Sequence, residues 1–339
     1  MTPSTTAQFT LSLPPGYRLD DVLAFHRRDA ESVAEQVSER HLRKGMLLDG
    51  VPVVLDIALN LAPDYMPDSA PASMPANAQA GAREQAQPGA PSTASCSIVA
   101  DGPCTPAITA YARAAADAML GLRIDPQPFA DFTASDPLFG PLTRAQAGLR
   151  VVQSATVFEA LTWAIIGQQI NLPFAIALRR TFILQAGRQH SSGLWCYPDA
   201  SSAALLEADA LTTRKFSRAK AETVLRLAQL VASGELRLAL GPDYGIEEMS
   251  AALLAVKGIG PWTVNYGLLR GYGYADCSLH GDVAVRAALQ HLLKEETKPD
   301  MARTEQFLAR YRPHRTMAAA HLWASLQPPA AAAGVPPDA

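Results

Sequence analysis

The 339-residue chain carries a formal net charge of −3 and is 48% hydrophobic and 18% charged; it is long enough for two domains and a substantial core. Its four cysteines, Cys96, Cys104, Cys196 and Cys277, are scattered and form no Cys-x-x-Cys pair, which argues against a zinc ribbon or an iron–sulfur cluster. Neither a signal peptide nor a membrane-spanning apolar stretch is visible, so a reducing cytoplasm is the expected compartment and no membrane partner is expected.

Residues 8–12 and 51–60 read as strands from their β-branched and alternating content. Between them, 20–36 has helical spacing, with Val22, Leu23, Phe25 and Val33 on one side. Residues 61–95 change character: six prolines sit among Ala, Ser, Gln and Gly. Such a composition buries too little apolar surface to offset its ordering entropy, so disorder is expected there. A strand resumes at 97–102 and an Ala-rich helix covers 106–122. The region 1–120 is thus expected to be a small α+β unit interrupted by a flexible insertion.

From Phe129 onward the pattern is helical. Thr156 is placed to cap a helix over 158–167. Further helices are expected at 172–186, 201–209, 217–232, 247–256, 261–270, 282–293, 303–311 and 315–326, giving a helical domain over 121–327 and a frayed tail over 328–339. Charge is uneven: Lys and Arg against Asp and Glu give −6 for 1–149, +4 for 150–326 and −1 for the rest. The modest basic excess falls on the half that holds the most informative motif.

That motif is LLAVKGIGPWTVNYGLLRGYGYADCSLHGD, residues 253–282. Gly258-Ile259-Gly260 joins two helical stretches, and neither glycine carries a Cβ to block close approach. Pro261 suits the first position of the second helix, where its missing amide costs nothing. Free amides at such a helix start bind anions, and a backbone phosphate is one. A tight turn between packed helices would use the same residues without any ligand. Asp282 closes the motif; it reads as an N-cap for the helix from 283, and equally as an acid set just beyond a nucleic-acid grip.

The residues around the turn decide between these readings. KGIGPWTVNY (257–266), FEALTWAIIGQQINLPFAIAL (158–178), KFSRAKAETVLRLAQLV (215–231), YRPHRTMAAAHLWASL (311–326) and LPPGYRLDDVLAFHRRDAES (13–32) together resemble the helix-hairpin-helix DNA glycosylase superfamily. Within it the chain is most similar to the alkylation-repair type, bacterial DNA-3-methyladenine glycosylase II. The resemblance covers nearly the whole chain except the Pro-rich insertion and the tail. It implies an α+β fold: a small N-terminal antiparallel-sheet domain packed on an all-helical glycosylase domain with its hairpin at 253–270.

The resemblance also assigns roles. Asp282 takes the place of the acid that stabilises the oxocarbenium-like sugar as the base leaves. Trp262, Tyr266 and Trp323, with Phe25 from the N-terminal domain, match the cleft for the flipped base, where electron-rich rings can hold a cationic alkylated base. Gly258, Gly260 and Thr263 match the phosphate-binding hairpin, and Gln169 matches the wedge that fills the gap in the helix. In the alkylation-repair type that wedge is often apolar, so a glutamine departs from the pattern. Bifunctional members carry a lysine where this chain has Trp262, so a hydrolytic, monofunctional enzyme is implied. No cofactor is implied beyond a monovalent cation held by hairpin carbonyls. The partner is double-stranded DNA with alkylated bases, met by a monomer in the bacterial cytoplasm as part of base excision repair. A related glycosylase for deaminated or oxidised bases, or a non-catalytic hairpin DNA-binding protein, are the alternatives.

Overall fold

A computed structural model of the protein describes residues 5–61 and 91–326. Of the disorder expected over 61–95, residues 62–90 lie outside the described residues, as does the tail over 328–339. Strands β1 (Thr5–Ser12), β2 (Glu35–Val37), β3 (His41–Leu48), β4 (Val51–Asn60) and β5 (Thr93–Ala100) form one sheet in the order β1-β5-β4-β3-β2, antiparallel at every pairing. The insertion therefore joins two paired strands, with Asn60 opposite Thr93. β5 begins inside the stretch expected to be disordered, because the alternation of TASCSIVA buries Ala94, Cys96, Ile98 and Ala100.

The helix expected over 20–36 is cut short. α1 spans Leu19–His26 and buries Leu19, Val22, Leu23 and His26. Beyond it, the Asp29 carboxylate accepts from the amides of Glu31 and Val33, and Ser32 sits at φ 51°, so the chain turns and enters β2. Strand β3, HLRKGMLL, was not expected, since Arg43 and Lys44 hide its alternation. α2 (Pro106–Met119) is capped by the Thr105 hydroxyl, which accepts from Ile108 N at 3.2 Å, and packs its buried Ile108, Ala112, Ala115 and Met119 with the sheet residues Leu55, Ile57 and Ile98.

The remaining helices are α3 (Gln127–Phe132), α4 (Phe139–Ala145), α5 (Val157–Gly167), α6 (Leu172–Ala186), α7 (Ala200–Ala204), α8 (Ala208–Thr212), α9 (Arg218–Ala232), α10 (Ile246–Leu254), α11 (Pro261–Gly267), α12 (Val283–Leu293), α13 (Met301–Ala309) and α14 (Arg315–Ser325). Thr156 caps α5 as expected, accepting from Glu159 N at 3.0 Å. The single helix expected over 201–209 is two short ones, the first capped by Asp199. The helical region is not wholly helical: β6 (Arg188–Gln189) and β7 (Trp195–Cys196) form a ribbon, and Tyr197 beyond it hydrogen-bonds to β3 at Gly45 and Leu47. One cluster of buried side chains centres on the sheet, the other runs through the helices from Phe129 and Leu161 to Leu308 and Leu322. No described helix is long and apolar enough to cross a membrane.

A buried ion quartet ties the two clusters. Lys44 Nζ donates to Glu35 Oε1 and Glu159 Oε1, both at 2.6 Å, and Arg179 donates to the same two oxygens at 2.6 Å. The four side chains are at most 10% exposed. Burial alone would raise the Glu35 carboxyl, but Arg179 and Lys44 outweigh it and hold it well below the usual carboxylate range.

Candidate active site

The hairpin of α10 and α11 is built as its sequence suggests, with Val256 and Ile259 buried beneath the turn. Gly258 adopts φ 97°, and a Cβ there would lie 2.1 Å from Thr223 Oγ1. Gly260 differs: its φ is −110° and nothing lies within 4 Å of where its Cβ would be. Packing thus requires the first glycine, whereas the second leaves open space in front of the start of α11. The first amides of a helix have no partner within it, so Trp262 and Thr263 present theirs toward that space. Two turn carbonyls are engaged: Lys257 O accepts from Arg226 at 3.2 Å and Gly258 O from Gln168 at 3.1 Å.

The loop after α5 is strapped to the hairpin. Gln168 Nε2 also donates to Thr263 Oγ1 at 3.0 Å, and Lys220 Nζ donates to the carbonyls of Ile166 and Gln168 at 2.7 and 2.5 Å. Gln169, at the tip, is exposed at φ 55°, a conformation a glutamine adopts only when its surroundings impose it. Thr263 is buried, and its hydroxyl oxygen accepts from Gln168 Nε2.

Asp282 is the N-cap of α12. Its Oδ1 accepts from Ala284 N at 2.9 Å, from Val285 N at 3.0 Å and from the Trp323 indole at 3.1 Å. Among the described residues Oδ2 accepts only from the Trp262 indole, at 3.4 Å. Donors are crowded on one oxygen, so the lone pairs of the other are the ones left for chemistry. Trp262 and Tyr266 lie one helical turn apart with ring centroids 5.2 Å apart at 31°, and Tyr266 OH accepts from the Trp163 indole at 2.9 Å.

These residues line one open cleft of about 1920 Å³ that runs from Gln169 and Gly260 past Asp282 to Phe25. The structure brings together Asp282, Trp262, Tyr266, Trp323, Phe25, Gln169, Gly260 and Thr263; Gly258 supports the turn from behind. A 30% identical DNA-3-methyladenine glycosylase of Bacillus subtilis (strain 168) aligns over 202 residues, 59% of this chain and 67% of its own length. The chain belongs to the DNA-3-methyladenine glycosylase family. A putative DNA-3-methyladenine glycosylase of the same organism is also 30% identical, over 53% of this chain and 63% of its own length, so the chain spans about two thirds of these relatives. The 3-methyladenine DNA glycosylase of Archaeoglobus fulgidus shares the fold, with a TM-score of 0.68 at 20% identity over 93% of this chain and 97% of that one. No protein-family model matches the sequence.

In this member of the glycosylase family the cleft also contains residues that sequence reasoning passed over. Arg28, just past α1, stacks its guanidinium 3.6 Å above the Phe25 ring and 5.4 Å from Trp163. The protein around it pushes it down to about 10, although much of its surface opens on the cleft. Arg270 lies 4.8 Å over Phe25 and 5.4 Å from Trp323, and its guanidinium donates to Val152 O. Burial lowers its pKa, while the nearby Tyr266 and Asp282 favour its charge. A π-helical turn over Leu268–Tyr272 carries Arg270, at a place where a regular helix was expected to continue to 270. Asp276, in the connection before Asp282, holds the start of α14 through the Arg315 guanidinium at 2.7 and 2.9 Å.

Proposed function

We propose that the chain is a monofunctional DNA glycosylase of base excision repair that extrudes an alkylated base of the 3-methyladenine kind from duplex DNA and hydrolyses its glycosidic bond. The observation that carries this reading is Asp282, seated between two indole donors in the cleft with its Oδ2 lightly bonded. An ionised carboxylate there stabilises positive charge developing on the sugar and orients water toward C1′. No lysine lines the cleft among the described residues, which supports hydrolysis over a Schiff-base route. The amides around Gly260 would hold a phosphate beside the lesion, and Gln169 at its exposed tip would fill the vacated stack. The monovalent cation implied at the hairpin would draw on carbonyls of 256–259, two of which already accept side-chain donors, and would add to the pull on that phosphate. The enzyme would act as a monomer in the bacterial cytoplasm.

The test is base release from a duplex holding 3-methyladenine or 7-methylguanine, with alkali used to reveal abasic sites. Asp282→Asn keeps a good helix cap but removes the charge, so it should lower the single-turnover rate by about 10² or more at unchanged Tm. Undiminished release by that variant, or strand scission without alkali, would overturn the mechanism.

A further inference from the structure

We propose that Arg28 is a specificity-determining residue: it favours neutral purines that present a carbonyl oxygen and a ring nitrogen, of which hypoxanthine is the type, over bases with a fixed positive charge. This rests on reading the cleft as the base pocket. Arg28 Nε donates to Phe25 O at 2.7 Å, and the guanidinium carbon sits 3.6 Å over the Phe25 ring. A guanidinium has five N–H donors. Among the described residues this bond is the only one Arg28 makes, and no carboxylate lies within ion-pair distance of it. Four donors are thus left unspent in the wall of the pocket.

The surrounding charge strengthens the point. Arg18, Arg28, Arg150 and Arg270 line the cleft against Asp21 and Asp282. Asp21 is taken up by Arg18 at 2.6 Å, so Asp282 alone faces the other three. Phe25, one of the rings that would receive a cationic base, already lies under two guanidinium groups. A methylated base with a fixed charge meets like charges there. A neutral purine with acceptors at its six-oxo and N7 positions meets the fork that reads that same edge in guanine.

The same bonds serve the reaction. A neutral purine is a poor leaving group: the C1′–N9 bond breaks with its electron pair going to N9. Donors on the six-oxo oxygen and N7 spread that charge. The water oxygen bonds to C1′; one of its protons stays on the new hydroxyl and the other ends on the released base.

Single-turnover release of hypoxanthine and of 7-methylguanine from matched duplexes tests the proposal with wild type, Arg28→Ala and Arg28→Lys. Arg28→Ala should slow hypoxanthine release by about 10- to 100-fold, the weight of a bidentate guanidinium–purine contact. It should speed 7-methylguanine release by about fivefold, the size of a screened like-charge interaction. Arg28→Lys, which keeps the charge without the fork, should lose hypoxanthine release but gain nothing on 7-methylguanine. Equal loss on both bases, or hypoxanthine release unchanged in Arg28→Ala, overturns the role of Arg28 and leaves the glycosylase reading intact. A wild-type enzyme that releases neither base overturns the glycosylase reading itself.

Discussion

Two glycines separated by a single residue, Gly258 and Gly260, should respond oppositely to the same added methyl group. At Gly258 the new Cβ would stand 2.1 Å from Thr223 Oγ1, 2.8 Å from its Cγ2 and 3.0 Å from its Cβ. Turning the Thr223 side chain only exchanges one clash for another, so the backbone of the hairpin must move. The φ of 97° adds strain for any L residue, about 1–2 kcal/mol. Overpacking adds about 1–3 kcal/mol, for a total of roughly 2–5 kcal/mol and a Tm lower by about 4–10 °C. At Gly260 neither term exists. Gly260→Ala should keep stability within about 0.5 kcal/mol while obstructing the approach of a phosphate. Urea unfolding measures the first quantity. The second is the affinity for a lesion duplex at fixed salt, since phosphate binding shifts steeply with ionic strength; a loss of about tenfold or more is expected. Wild-type affinity in Gly260→Ala would refute the phosphate grip, and wild-type stability in Gly258→Ala would refute the packing argument.

Lys44→Met leaves Glu35 and Glu159 with Arg179 alone and should cost about 3–5 kcal/mol in urea unfolding, far more than an exposed lysine would. Acid should destabilise the fold from near pH 6.5: His26 and His321 are buried, and burial pushes both imidazoles down to about 4. Between pH 6.5 and 4 the unfolded chain binds protons that the folded one does not, so stability falls as pH falls through that window, by at most about 3 kcal/mol per histidine. His26→Gln, which can still donate to the Met119 carbonyl that His26 now meets at 2.9 Å, should flatten that slope in a pH series of urea titrations. Replacing residues 62–90 by a short turn should leave Tm within a few degrees and base release unchanged, because the ends being joined are already paired strands and loop closure depends weakly on length.

The parts of the site that were legible in sequence are those whose spacing survives folding. Trp262 and Tyr266 share a helix face at i and i+4, and Asp282 heads the helix after them. Phe25 and Trp323 were placed only through the resemblance, since nothing in their local pattern separates a cleft ring from a core ring. Arg28, Trp163 and Arg270 escaped for related reasons. The place of Arg28 depends on α1 stopping at His26, which follows from the Asp29 turn and not from the apolar spacing that seemed to run on to Val33. Arg270 reaches the cleft through a π-helical turn that no 3.6-residue period announces. Lys44 hid strand β3, because a buried lysine makes sense only once Glu159, 115 residues away, is seen beside it.

The ion quartet also bears on which molecule must bend when the two meet. Glu35 and Lys44 belong to the sheet, Glu159 and Arg179 to α5 and α6, and Trp163 stands one turn beyond Glu159 on α5. The segment bearing Phe25 and Arg28 and the helix bearing Trp163 are therefore tied together beside a small pocket that all three residues line with the quartet. On the proposed function, a cleft edge braced in this way is expected to hold its shape while the duplex kinks and delivers the nucleotide, so that the few kcal/mol of unstacking fall on the DNA, where a weakly paired lesion lowers them.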